Sequence, residues 1–228
     1  MNNRPIGVFD SGVGGLSVLK EIKKLLPNEK YIFVADQKHV PYGGKTQAQL
    51  IDLADKITAY FIKQKAKMVV IACNPSTCYS IHAMRAKYPD LLFVGTVPAV
   101  KKAVELSVSK SVAVISTPAT AKSPYLRDLI SQYAGDAKIV RVGCAGLENK
   151  VEEGDMTSKQ VETLISRYLK KALINNPDYL VLGCTHYPFL KKTIQRHVGD
   201  KIKLIDSGKA IARRVNNLLS DADILNIL

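Results

Sequence analysis

Short apolar runs alternate with amphipathic stretches along the whole chain. The runs IGVFD (6–10), YIFVA (31–35), MVVIA (68–72), LLFVG (91–95), VAVIS (112–116), KIVRV (138–142), YLVLG (179–183) and KLID (203–206) read as buried strands. Helical stretches fill the gaps, beginning with GLSVLKEIKKLL (15–26). The next, about 46–64, carries Leu50, Leu53, Ala54, Ile57 and Phe61 along one face at spacings of three and four. Others follow residue 73 and lie near 98–106. Strands that are apolar on both sides and alternate with helices predict parallel βαβ units covered on both faces, an α/β fold.

The pattern repeats. IGVFDSG (6–12) matches VAVISTP (112–118), YIFVAD (31–36) matches KIVRVG (138–143), and VVIACN (69–74) matches LVLGCT (180–185). The offsets, from 6 to 112, 31 to 138 and 69 to 180, are 106, 107 and 111 residues. Two pseudo-symmetric three-layer αβα domains with mainly parallel sheets are therefore expected. The first would span 1–97 plus 208–228 and the second 98–207, the tail helix returning to pack on the first half. Ligands of such sheets sit at the carboxyl ends of the strands. Facing halves would enclose one active-site cleft, with a cysteine presented from each side.

Composition narrows the class. The chain has 228 residues, 46% hydrophobic and 23% charged, which suits one large domain or two small ones. No run of about 18 apolar residues predicts a membrane span, and MNNRPIGVFDSG lacks the apolar core of a secretory signal. Four cysteines with no C-x-x-C spacing argue against a disulfide framework or a zinc site. A reduced, cytoplasmic protein is expected. The net charge of +13 comes from scattered lysines, in pairs such as 23–24, 101–102, 170–171 and 191–192. It reads as a solvated surface or as attraction for an anionic partner. No basic arm or RNA-binding signature points to nucleic acid.

The ends of the strands carry the chemistry. Cys73 and Cys184 occupy matching places in the repeat, each after an apolar run that turns polar at once. Either alone reads as a small buried residue closing a strand; the pairing favours chemistry. Asn74-Pro75-Ser76 reads as a helix start with Asn at the N-cap and Pro at the first position, and Thr185 could cap likewise. Helix N-termini favour the thiolate and could also hold a substrate carboxylate. Two thiols on opposite sides of one carbon can remove a proton from one face and return one to the other. Such an inversion needs neither metal nor cofactor, but it needs groups that manage the thiol protons. Asp10, at the end of the first strand, and His186, two residues after Cys184, are candidates; Glu152 in VEEG offers only its acidity. GGKT (43–46) is similar to the end of a phosphate loop, yet His39 stands where that motif needs glycine. GVGGLS (12–17) misses the last glycine of G-x-G-x-x-G. His39, His82 and His197 read as structural or surface residues.

GVFDSGVGGLSVL, VPYGGKT, ACN, STPATAKSPY, VEEG, LGCTHYPFL and IDSG together resemble the glutamate racemases of the cofactor-independent aspartate/glutamate racemase superfamily, from Gly7 to about Gly208. The resemblance implies interconversion of L- and D-glutamate, a small-molecule substrate, without a cofactor or metal, supplying D-glutamate for peptidoglycan in the bacterial cytoplasm. It also implies a homodimer, with no membrane or nucleic-acid partner. It implies that Cys73 acts on the D and Cys184 on the L enantiomer, that Asp10 assists Cys73, and that Glu152 and His186 assist Cys184. Substrate contacts would come from Ser11, Pro41, Tyr42, Gly43, Asn74, Thr117, Thr120 and Thr185. Three departures stand out. Pro75 replaces the family's usual threonine, removing a hydroxyl and an N–H at the α-carboxylate; each lost bond to a charged group is worth about 1.5–3 kcal/mol. Ser76 or Thr77 would have to substitute. GCAGLENK, before VEEG, lacks the family's prolines. The chain stops at Leu228, before the usual C-terminal segment, so the first domain is expected to lack an edge element. A racemase of another acid such as aspartate, or an inactive amino-acid-binding homologue, is the alternative.

Overall fold

The computed structural model describes residues 2–226. The chain divides into two compact units: residues up to Thr96 together with those from Gly208 onward, and Val97–Ser207. In the first, β1 (Ile6–Asp10), α1 (Leu16–Leu25), β2 (Tyr31–Ala35), α2 (Gln47–Lys63), β3 (Met68–Ile71), α3 (Asn74–Lys87) and β4 (Leu92–Gly95) alternate. The second contains α4 (Val100–Leu106), β5 (Ser111–Ser116), α5 (Pro118–Lys122), α6 (Pro124–Tyr133), β6 (Lys138–Gly143), α7 (Leu147–Glu152), α8 (Lys159–Ala172), β7 (Tyr179–Leu182), α9 (Lys191–Val198) and β8 (Lys203–Ile205). The last helix, α10 (Gly208–Asp221), belongs to the first unit.

Each unit holds a four-stranded parallel sheet, ordered β2-β1-β3-β4 in one and β6-β5-β7-β8 in the other. The sequence repeat is thus a repeat of topology. The central strands pair without slip: Ile6 lies opposite Tyr31 and Met68, and Val112 opposite Ile139 and Tyr179. That register brings the carboxyl ends of neighbouring strands level, so the loops bearing the candidate residues emerge together.

Alternation along β1 explains the layers of the first unit. Ile6 and Val8 face a core shared with Val18, Leu19 and Ile22 of α1 and with Ile211, Ala212, Val215 and Leu219 of α10. Residues of the other parity face α2 and α3. There the Phe61 ring fills the space over Gly7, where an added Cβ would come within 2.6 Å of it. In the second unit Val112, Val114 and Val181 meet Val100 and Ala103 of α4 and Leu126 of α6, while α8 packs on β5 and β6. Thr46 starts α2 with a full capping box, its hydroxyl accepting from Gln49 N–H while the Gln49 side chain accepts from Thr46 N–H.

One ionic contact ties the first unit together. Lys67 Nζ lies 2.7 Å from Glu29 Oε2, and both side chains are wholly buried. The same ammonium donates to the carbonyls of Asn2 and Ile224, at 3.0 and 2.7 Å, and Glu29 Oε1 accepts from Asn226 N–H. The pair therefore fastens the N-terminal strand approach, the loop before β2 and the segment after α10. Removing one member leaves the other charge buried. Lys67→Met should destabilise the protein by about 3–5 kcal/mol, with the Glu29→Leu/Lys67→Met double variant recovering most of the loss. Urea unfolding of the three proteins measures this; a single variant as stable as the parent would show the pair to be idle.

Candidate active site

Cys73 ends the loop after β3. The sequence pattern places Asn74 at the N-cap and Pro75 first in the helix, whereas Cys73 itself is the N-cap of α3 and Pro75 the second helical residue. The shift is sterically easy, because the first four helical N–H groups have no partner inside the helix and proline loses nothing there. The first helical bond runs from Thr77 N–H to the Cys73 carbonyl. The thiol thus sits where the helix dipole favours an anion. Pro75 withdraws one donor from that terminus, leaving the N–H groups of Asn74 and Ser76 ahead of the first helical bond. Thr77 cannot stand in for the missing hydroxyl: its Oγ1 donates to the Ile71 carbonyl and accepts from Thr96 N–H. Ser76, fully buried, has its Oγ 3.4 Å from Ser80 Oγ.

Around Cys73 the first unit gathers polar groups from three strand ends. Its Sγ is 4.0 Å from Ser11 Oγ. Asp10 is buried at the last position of β1, ahead of the 3-10 turn at Val13–Gly15. Gly15 is required here, since a Cβ would come within 2.6 Å of the Asp10 Cβ. Pro41 follows Val40 through a cis peptide, and Tyr42 and Gly43 form a short 3-10 turn. The buried Tyr42 packs with Cys73, Leu50 and Leu53 and donates its hydroxyl to Asp36 at 2.6 Å. Burial first, then the bond to Asp36 and the charges on Asp36, Cys73 and Asp10, push its pKa far above the usual phenol value. It therefore remains a hydrogen-bond donor. Asp36, which also binds His39 Nδ1 at 2.8 Å, was not apparent from the sequence, although it closes the second strand of the repeat. Asn74 is buried, with no hydrogen-bond partner for its Oδ1 among the described residues.

The second unit handles its thiol differently. Thr185 does not cap a helix: Cys184 is followed by a turn, closed by Tyr187 N–H to the Cys184 carbonyl, and then by a 3-10 turn at Tyr187–Leu190. In place of a helix terminus, Cys184 has a histidine. Its Sγ is 3.6 Å from His186 Nδ1, Thr185 Oγ1 is 3.4 Å from the same nitrogen, and His186 Nε2 is 2.5 Å from Glu152 Oε1. A carboxylate can only accept, so Nε2 carries a proton. In the neutral ring Nδ1 then presents a lone pair toward the thiol. This is the acid–base–nucleophile arrangement in which a carboxylate fixes the tautomer of a base.

Pinned backbone holds Glu152 in place. Tyr187 and Tyr168 donate their hydroxyls to the carbonyls of Cys144 and Ala145, at 3.0 and 2.8 Å. Gly146 then turns the chain at φ 86°, in the left-handed region, and caps α7. Thr117 caps α5, its Oγ1 accepting from Thr120 N–H and donating to Thr120 Oγ1. No local pattern singled out Cys144, Tyr187 or Glu148, all buried and within electrostatic reach of His186 or Cys184. Burial pushes the Cys144 thiol up to about 12, with charges on Cys184 and Glu148 adding to the effect. Among the described residues no group of three or more His, Cys, Asp and Glu side chains is arranged to hold a metal ion, and no helix is long and apolar enough to cross a membrane.

The Asp/Glu/hydantoin racemase family matches residues 6–215, nearly the whole chain. The chain belongs to this family. It is 43% identical over 221 residues to a glutamate racemase of Pseudomonas syringae pv. tomato, covering 97% of this chain and 80% of that relative. Among solved structures it is similar to Escherichia coli glutamate racemase in complex with L-glutamate and the activator UDP-MurNAc-ala. There the TM-score is 0.87 and the identity 36%, covering 95% of this chain and 83% of that one. It is likewise similar to the Francisella tularensis glutamate racemase in complex with D-glutamate, with TM-score 0.87 and 31% identity, over 100% of this chain and 85% of that one.

Cys144, buried and protonated, is not a reacting thiol. In the folded protein at pH 8 it should resist iodoacetamide, and Cys144→Ala should leave proton exchange on the substrate within about threefold of the parent. Peptide mass spectrometry after alkylation checks the first point. Prompt labelling of Cys144 would place it among the reactive groups.

Proposed function

We propose that this protein is a glutamate racemase that moves the α-proton between two cysteine thiols. The observation that carries the reading is the placement of Cys73 and Cys184 at equivalent positions, each two residues past the third strand of a four-stranded repeat. In the proposed direction from L-glutamate, the Cys184 thiolate takes the α-proton and the Cys73 thiol delivers a proton to the opposite face. The reverse sequence starts from D-glutamate at Cys73. His186, oriented by Glu152, receives and returns the proton of Cys184. Asp10 serves Cys73 in the same way. Ser11, Tyr42, Gly43, Asn74, Thr117, Thr120 and Thr185, with Pro41 shaping the turn, line the substrate's place. The product would be D-glutamate for the peptidoglycan of a bacterial cytoplasm, made by a homodimer.

Proton NMR in D₂O tests this. Both L- and D-glutamate should lose the α-proton signal, with inversion followed by optical rotation. Cys73→Ala and Cys184→Ala should each lower inversion by about 10²–10⁴-fold, the scale of one lost acid/base group. Either variant inverting at the parent rate would end the two-thiol mechanism, and a folded, reduced parent that exchanges neither enantiomer would end the glutamate reading.

A second reading, racemisation of another acid such as aspartate, has one observation in its favour. Pro75 removes a donor from the α3 terminus beside Cys73. On the glutamate reading, Pro75→Thr should lower the KM for glutamate by about tenfold, one charged hydrogen bond regained, and the parent should exchange glutamate faster than aspartate. Faster exchange of aspartate by the parent would select the second reading.

A further inference from the structure

Glu152 is not the only carboxyl group that α7 brings to His186. Glu148 lies four residues earlier on the same helix, hence on the same face one turn away. It is only 7% exposed. Its Oε2 is buried without a hydrogen-bond partner among the described residues. The backbone N–H groups of Glu148 and Gly146 engage the carboxyl group, and it lies within electrostatic reach of His186. A buried carboxyl group with one bare oxygen is costly to keep ionised unless a cation stands near. The group that can become a cation here is His186.

We propose that Glu148 is a positioning residue of this site: a second carboxyl group that, with Glu152, sets the charge of His186 and through it that of Cys184. The inference rests on the reading of Cys184 as a reacting thiol. When Glu148 is ionised, it stabilises the His186 imidazolium and so shifts the Cys184–His186 pair toward thiolate and imidazolium. When it is neutral, Glu152 alone supports the cation. Burial raises the pKa of Glu148, while its backbone donors and His186 pull it back. The change of state therefore comes at a higher pH than for an ordinary glutamate, and the thiolate pair gains support as pH rises through that point. The other titratable groups around it fall on four elements. Glu152 and Lys150 are on α7 itself, and Lys150 pairs at 2.7 Å with Glu153, which caps the end of that helix, so the pair is neutral as a unit. Cys144 follows β6, and Cys184, His186 and Tyr187 follow β7. Tyr168 of α8 adds to the field at Tyr187. Cys144 and Tyr187 are held protonated by burial and bring no charge at neutral pH.

A purely structural role, capping the start of α7, predicts something different. Glutamine in this place keeps an oxygen for the same backbone donors but cannot ionise. Glu148→Gln should therefore fold with a Tm near that of the parent. In a Cys73→Ala background, it should also lower the iodoacetamide reactivity of Cys184 at pH 7 by about three- to thirtyfold, as removal of one nearby carboxylate predicts. Its midpoint in pH should move upward. In the otherwise unchanged enzyme, kcat should fall at pH 7 with KM held. An unaltered Cys184 pH profile in a folded Glu148→Gln protein would overturn the proposal. If that variant does not fold, ¹³C NMR of the parent decides instead. The His186 Cε1 shift should show a second inflection at the pH where the Glu148 Cδ titrates, and a single inflection would overturn the proposal. Alkylation and NMR are read without substrate, so their failure is distinct from a failure to exchange glutamate.

Discussion

In-register parallel pairing is the constraint on which the rest depends. A parallel strand buried on both faces can offer side chains to a ligand only at its ends. Asp10 is the last residue of β1, Asp36 follows β2, Thr117 follows β5, Cys144 follows β6, and Cys73 and Cys184 lie two residues past β3 and β7. Because the central strands pair without slip, these residues emerge level within each unit. A slip of one residue in β3 would turn Val70 from the α1/α10 core to the other face and carry Cys73 away from Ser11.

The two units use one topology but manage their thiols by different physics. Cys73 caps a full α-helix, and its surroundings are acidic and phenolic: Asp10, Asp36 and Tyr42. The helix terminus there favours a thiolate that the neighbouring carboxylates oppose. Cys184 has only a turn after it, and a histidine held by a carboxylate takes the place of the helix dipole. The first arrangement biases a thiol by a fixed field; the second gives its proton somewhere to go. Two units of one topology thus differ in what surrounds their thiols.

Backbone pinning shapes the site as much as the side chains around the thiols do. Glu152 reaches His186 across 34 residues of sequence because Tyr168 and Tyr187 grip the carbonyls before α7 and Gly146 supplies the left-handed turn. In the first unit, Gly15 leaves room for Asp10, and the Tyr42–Asp36 bond fixes the turn after Pro41. Each support is a backbone or hydroxyl contact, made by groups whose sequence neighbours give no hint of it.

Much of the architecture was legible in the sequence. IGVFD and YIFVA match their strands residue for residue, because continuous apolar runs ended by polar residues allow little else, and the repeat predicted two similar α/β halves. The positions of Cys73 and Cys184 followed from the same runs, since a strand's end is a local property. Local rules failed where two choices were nearly equal in energy. Asn74 and Cys73 could both begin α3, and the fold chose Cys73; Thr185 had a capping residue's chemistry, but the chain turned into a 3-10 segment instead. The Glu152–His186 bond, the place of Glu148 beside them, the Asp36–Tyr42 contact and the buried Glu29–Lys67 pair were settled by tertiary structure alone. Hydrophobic periodicity records which side of an element is buried. It does not record which distant polar group will be buried beside it, and the energy of a hydrogen bond or an ion pair depends on that partner.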